Sequence, residues 1–295
     1  MADAIEHVGV VGSGLMGSGI TEVCARAGLD VVVVEADAGA AELGQGRFRK
    51  SLETGARRGK LSEEEVEAAL ARVRYTTDFG ELSDRQLVVE AITEDAAAKV
   101  AIFGILDKVV VHEHAILASN TSSIPIMKLA TVTKRPEQVL GLHFFNPVPV
   151  MHLVELVTSL MTSDAVVDRS TAFVSGVLGK RVIRSQDRAG FVVNSLLIPY
   201  LLSAVRMLES GFATRDDIDV GMVEGCNHPM GPLALSDLIG LDTMQAVADS
   251  LYEEFKEPLY APPPLLLRMV EAGLIGRKSG RGFYEYGRTP AQATV

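Results

Sequence analysis

Short β-branched runs alternate with longer stretches of helical periodicity through the first two-thirds of the chain. Extended runs fall at 7–11, 30–35, 87–92, 115–118 and 139–142, with helical stretches between them at 15–27, 38–58, 63–72, 95–110 and 124–130. That alternation predicts a mainly parallel sheet covered by helices on both faces. Residues 31–34 are all valine, as expected of a strand buried on both sides. Two further extended runs, 152–157 and 180–183, flank a helical stretch at 165–178. After Asp187 the pattern changes: 190–208, 214–224, 234–255 and 264–271 all read as helices. Thr214, followed by Asp216 and Asp217, has the form of a helix start, with a capping hydroxyl and acids in the first turn. The expected organisation is an α/β domain over 1–186 and an all-helical domain over 187–295.

Composition narrows the function classes. Of 295 residues, 47% are hydrophobic and 22% charged, enough apolar material for a packed core and too much for a disordered chain. The net charge of −10 argues against nucleic acid as a partner, since the phosphate backbone would be repelled. Cys24 and Cys226 stand far apart and make neither a disulfide framework nor a metal site, which suits a reducing cytoplasm. The N-terminal MADAIEH lacks a leader pattern. The uncharged stretch near 189–205 is interrupted by Asn194, Pro199 and Tyr200, so a buried helix is expected there rather than a membrane span. The terminal TPAQATV is expected to fray.

The first strand runs into VGVVGSGLMGSGI. Gly12, Ser13, Gly14, Leu15, Met16 and Gly17 form a G-x-G-x-x-G between a strand and a helix, the arrangement that cradles a dinucleotide pyrophosphate. Glu35 ends the next strand, where a carboxylate can bind both ribose hydroxyls and would repel a 2′-phosphate. No arginine follows within 36–41, so NAD is expected over NADP on a Rossmann-type, doubly wound sheet. Arg47, Arg49, Lys50, Arg57, Arg58 and Lys60 then form a basic island in an acidic chain. It reads either as a solvated helix face or as a docking site for a small polyanion.

Oxidation of a secondary alcohol needs a base for the hydroxyl proton, and histidine titrates near neutrality. Of six histidines, His143 follows the extended run 139–142, at the carboxyl end where such sheets bind ligands, and Phe144, Phe145, Asn146 and Pro147 follow it. Glu155, in the apolar run LVELV, is the candidate to orient the imidazole. By spacing alone His152 is a rival base.

These residues lie within GLHFFNPVPVMHLVELV, ASNTSS, GFVVNSLLIPYL, PMGPLALSDLIGLDT and GRKSGRGFYEY. Together the blocks resemble the 3-hydroxyacyl-CoA dehydrogenases, particularly the short stand-alone (S)-3-hydroxybutyryl-CoA dehydrogenases. The resemblance runs from Val8 to about Tyr286. It implies a two-domain cytoplasmic homodimer, without metal or membrane partner, that oxidises an (S)-3-hydroxyacyl-CoA with NAD. His143 matches the family's base and Glu155 its orienting carboxylate. Ser122, Asn146 and Asn194 match polar groups around the reacting centre. Glu94, Lys99 and Lys278 match cofactor contacts, as does Asn146, while Ser51 and Arg58 match positions that hold coenzyme A. Three positions depart from the pattern: Glu35 for aspartate, Arg58 for lysine and His152 for lysine. Asn194 also admits a structural reading, satisfying a backbone group within an apolar helix. Two rivals stand beside this one: a dehydrogenase for a free hydroxy acid such as a sugar acid, and a non-catalytic, crystallin-like NAD-binding protein.

Overall fold

The structure, a computed structural model, describes residues 4–287; the TPAQATV terminus lies outside them. By their internal contacts the residues form two compact units, one ending at Arg188 and the other beginning at Ala189.

In the first unit β1 (His7–Val11), α1 (Leu15–Arg26), β2 (Asp30–Val34), α2 (Ala38–Arg57), α3 (Glu63–Ala71) and β3 (Val73–Thr76) come first. Next are β4 (Leu87–Glu90), α4 (Ala96–Val109), β5 (Ile116–Ser119), α5 (Ile126–Ala130), β6 (Val139–Phe144) and β7 (Leu153–Thr158). The helix α6 (Asp164–Ala172), prolonged by a π turn at Phe173–Val177, leads into β8 (Arg181–Gln186). The sheet order is β3-β2-β1-β4-β5-β6-β7-β8, parallel except for the antiparallel β6–β7 pair. The order reverses direction between β1 and β4, which opens a crevice at the carboxyl ends of those strands. This is the expected Rossmann-type sheet with flanking helices.

Local chemistry explains the helix starts. Asp37, Ser62 and Asp95 cap α2, α3 and α4 by accepting from backbone N–H groups of the first turn, and Glu65 completes a capping box with Ser62. The valines of β2 are wholly buried, and Val31 and Val33 share one core with Val8, Val10, Leu87, Val89 and Ile116. β3 was not legible beforehand: VRYT is four residues long, carries an exposed arginine and pairs on one side only, at the sheet edge.

The second unit is helical: α7 (Val193–Glu209), α8 (Arg215–Cys226), α9 (Pro232–Ile239), α10 (Leu241–Phe255) and α11 (Pro264–Glu271). Thr214 caps α8, as its sequence suggests. The single helix expected over 234–255 is two, because Gly240 adopts φ +101 and breaks the chain between α9 and α10. Ile198, Leu201, Leu202 and Val205 of α7 join Leu233, Met244, Val247 and Leu251 in the core of this unit.

Candidate active site

The dinucleotide turn sits at the β1–β4 crevice. Gly12 has φ +90, and a Cβ there would meet the Ala91 carbonyl oxygen at 2.9 Å. A Cβ at Gly17 would lie 1.9 Å from the Gly12 oxygen, so α1 packs onto the turn only with glycine at that position. Around Gly14 a Cβ would meet nothing within 4 Å, which leaves room for a ligand to approach the backbone at the start of α1. The residues present therefore fit a dinucleotide.

Glu35 follows β2, and its carboxylate accepts from the Ser13 amide and from Ser13 Oγ (2.7 Å). That fixes the acid beside the turn. Arg47, beyond residues 36–41, reaches the same place: its Nη1 donates to the Ser13 carbonyl at 3.3 Å.

The antiparallel register of β6 and β7 sets His143 opposite Glu155. Opposed residues of such a pair share a face of the sheet, which brings the side chains together across a twelve-residue separation. Nδ1 of His143 lies 2.7 Å from Oε2 of Glu155, with the two residues 6% and 0% exposed. A carboxylate only accepts, so Nδ1 carries the proton of this bond, which fixes the tautomer and orientation of the imidazole. The Phe145 ring lies 4.7 Å from the imidazole, centroid to centroid. Asn120, which the sequence reading passed over, accepts from the Phe144 amide at 2.9 Å and ties the end of β6 to the loop after β5. Its only signal is its place inside ASNTSS.

Ser122 lies just beyond β5, the parallel neighbour of β6, so it and His143 occupy the same end of the sheet. The loop is gathered by Glu94. Its Oε1 accepts from Thr121 Oγ1 (2.5 Å), the Ser122 amide (2.9 Å) and the Ser123 amide (3.1 Å). Burial pushes the Glu94 carboxyl up, but the Lys99 charge and the hydrogen bonds from Thr121, Ser122 and Ser123 outweigh it and hold it below the usual range. Lys99 is 1% exposed, and its Nζ lies 2.6 Å from Glu90 and 3.4 Å from Glu94. Glu90 is the second residue missed, although an acid closing the apolar run 87–89 was a visible signal.

A groove of about 420 Å³ runs along α2 and the loop after β6, lined by Arg47, Lys50, Ser51, Arg58, Lys60 and Asn146 among others. The basic island divides here. Arg57, a member of the island, is not in this lining and donates instead to Thr54 Oγ1 (3.0 Å), one helical turn back. His152 is exposed and stands apart from the buried pair. Burial pushes the Cys24 thiol up to about 12, so it forms no thiolate at neutral pH. Asn194 and Lys278 belong to the helical unit. Asn194 is the second residue of α7 and half-buried, and Lys278 pairs with Asp242 at 2.5 Å. No cluster of side chains suited to a metal ion occurs among the described residues.

Comparison with known proteins agrees along the chain. Residues 7–188 match the family described as 3-hydroxyacyl-CoA dehydrogenase, NAD binding domain, and residues 190–286 match its C-terminal domain. A Mycobacterium tuberculosis protein named 3-hydroxybutyryl-CoA dehydrogenase is 61% identical over 286 residues, covering 97% of this chain and 100% of the relative. The human mitochondrial hydroxyacyl-coenzyme A dehydrogenase is 41% identical, covering 96% of this chain and 91% of the relative. The crystal structure of the Ralstonia eutropha (S)-3-hydroxybutyryl-CoA dehydrogenase is similar at a TM-score of 0.92 and 47% identity, covering 97% of this chain and 100% of that one. With both domain matches in sequence order on a Rossmann-type sheet, this chain belongs to the 3-hydroxyacyl-CoA dehydrogenase family, a family of NAD-dependent oxidoreductases.

Proposed function

We propose that this enzyme reversibly oxidises (S)-3-hydroxyacyl-CoA thioesters, 3-hydroxybutyryl-CoA among them, to the 3-ketoacyl-CoA. The observation that carries the reading is the buried His143–Glu155 pair, at the same end of the sheet as the glycine turn and Glu35. The relatives' names, which specify 3-hydroxybutyryl-CoA, support the substrate class. Bound NAD supplies the hydride acceptor. Residues Gly12, Ser13, Gly14, Leu15, Met16 and Gly17 would hold its pyrophosphate and Glu35 a ribose, with Glu94, Lys99 and Asn146 as further contacts from the same unit.

His143 takes the C3 hydroxyl proton at Nε2, and Glu155 stabilises the imidazolium that forms. The Ser122 hydroxyl, at the same end of the sheet as His143, steadies the C3 oxygen. Ser51 and Arg58, in the groove along α2, hold coenzyme A phosphate, a fork-shaped cation being suited to that anion. In the reducing direction His143 returns the proton, so lower pH drives the reaction toward the alcohol.

The reading is tested by following NADH oxidation with acetoacetyl-CoA and with free acetoacetate. Contacts to charged phosphate of ordinary strength predict a preference for the thioester of about 10²-fold or more in kcat/KM. Equal values with the two ketones would remove the coenzyme A assignment.

We also propose a homodimer of cytoplasmic chains. What supports it is the set of apolar side chains that the helical unit leaves exposed, Leu196, Met207, Phe212, Val220 and Leu238 among them, while Ile198, Leu201, Leu202 and Val205 of α7 are spent in the unit's own core. Light scattering that reads a single-chain mass would contradict the dimer. Among the described residues no helix is long and apolar enough to cross a membrane.

A further inference from the structure

Glu90 closes β4 with its carboxylate fully inside the protein, at 0% exposure. Oε1 accepts from Lys99 Nζ at 2.6 Å and from the Ile92 amide at 2.7 Å. Oε2 accepts from Ser119 Oγ at 2.6 Å, and Ser119 Oγ accepts in turn from the Thr121 amide at 3.2 Å. One side chain thus joins the ends of β4 and β5 and a buried ammonium.

Both sides of this junction face the candidate site. The 91–92 segment that Glu90 holds through the Ile92 amide is the wall a Cβ at Gly12 would strike, at the Ala91 oxygen (2.9 Å) and Ile92 Cγ2 (3.1 Å). On the other side, Lys99 is shared between Glu90 and Glu94, and Glu94 gathers the turn that presents Ser122. Two carboxylates and one ammonium leave a net negative charge at the carboxyl end of β4. A buried ion pair adds little stability over well-packed apolar side chains, so stability alone is a weak reason for charges here.

We propose that Glu90 is a positioning residue of the dinucleotide crevice. It touches neither substrate nor cofactor. It fixes the Lys99 ammonium and the 91–92 wall on one side and the Thr121–Ser123 turn on the other. The proposal rests on the NAD reading above.

Glu90→Gln tests it with little change of shape. An amide presents a single acceptor oxygen, so either Lys99 and Ile92 or Ser119 loses its acceptor. Lys99 is then drawn to Glu94, which loosens the bonds that Glu94 accepts from the serine turn. Loss of a hydrogen bond to a charged group predicts that Kd for NADH, read by its fluorescence on binding, rises about tenfold or more. The expected loss is not additive: Glu90→Gln should change Kd by less than about twofold in a Lys99→Met background, because the two residues act as one unit.

A variant with a lower melting temperature but a Kd within about twofold of wild type would make Glu90 merely structural and overturn the proposal. So would full additivity with Lys99→Met. If Glu90→Gln does not fold, Ser119→Ala removes the Oε2 partner and leaves the ion pair. A rise of about threefold or more in Kd is then expected on loss of the hydrogen bonds to Glu90 and from the Thr121 amide, and an unchanged Kd overturns the proposal. A wild-type protein that binds no NADH would sink the cofactor reading itself, before any variant is compared.

Discussion

Glu155→Gln separates charge from shape at the proposed base. The glutamine fills the same volume and can still accept from Nδ1, but it carries no charge to meet an imidazolium. In the structure the pair is 2.7 Å apart, and the carboxylate has no solvent exposure to screen it. Two unit charges with centres about 4 Å apart interact by about 4 kcal/mol at an effective dielectric of about 20. The neutral ground state of His143 draws little on that energy, whereas the proton-transfer transition state draws on most of it, so the loss falls on kcat rather than on binding. At 1.36 kcal/mol per decade, about 4 kcal/mol is about a 10³-fold drop in kcat. The retained hydrogen bond and local relaxation lower that to about 10²–10³.

Stopped-flow reduction of acetoacetyl-CoA with saturating NADH reads kcat, and NADH fluorescence reads binding separately. Kd for NADH should stay within about twofold, since Glu155 lies on β7 and its carboxylate is held against His143. The melting temperature should change by only a few degrees, because exchanging a buried charge for an isosteric neutral group is often close to neutral for stability. His143→Ala removes the base itself and should cost about 10²–10⁴ in kcat. A loss below about tenfold in either variant, or an abolished NADH affinity in Glu155→Gln, would refute the assignment.

Three further outcomes are expected. Glu35→Ser should cut the preference for NAD over NADP by about tenfold or more in kcat/KM, because it removes the carboxylate that repels a 2′-phosphate while Arg47 stays 3.3 Å from Ser13; an unaltered ratio would mean Glu35 does not set specificity. Arg58→Ala should raise KM for acetoacetyl-CoA about tenfold with kcat little changed, an effect that shrinks at high salt; an unchanged KM removes Arg58 from the groove's function. For Glu94 the sign follows from its lowered titration: the carboxylate's contribution to stability is present above the unfolded-state value and is lost as pH falls through the folded one. The melting-temperature gap between wild type and Glu94→Gln should therefore be widest near neutrality and close as pH drops below about 4, and a gap constant from neutral to acid would contradict this.

Residue order alone determined the parts whose physics is local. Short β-branched runs alternating with period-3.6 stretches, four consecutive valines and a glycine turn between strand and helix specify a parallel sheet and its dinucleotide crevice without any long-range contact. The cap at Thr214 is equally local. His143 and Glu155 were nominated by residue type and flanking apolar residues, but their pairing needed the antiparallel turn between β6 and β7, which sets a separation of twelve along the chain opposite across the sheet. The single-sided β3 and the break at Gly240 were hidden because each is decided by surroundings, an edge pairing in one case and a left-handed glycine in the other. Tertiary structure also decided which charges matter: it turned Arg57 toward its own helix, left His152 in solvent and buried Glu90 against Lys99. Burial and partner geometry set the energy of a charge, and neither is a property of the residue's neighbours in sequence.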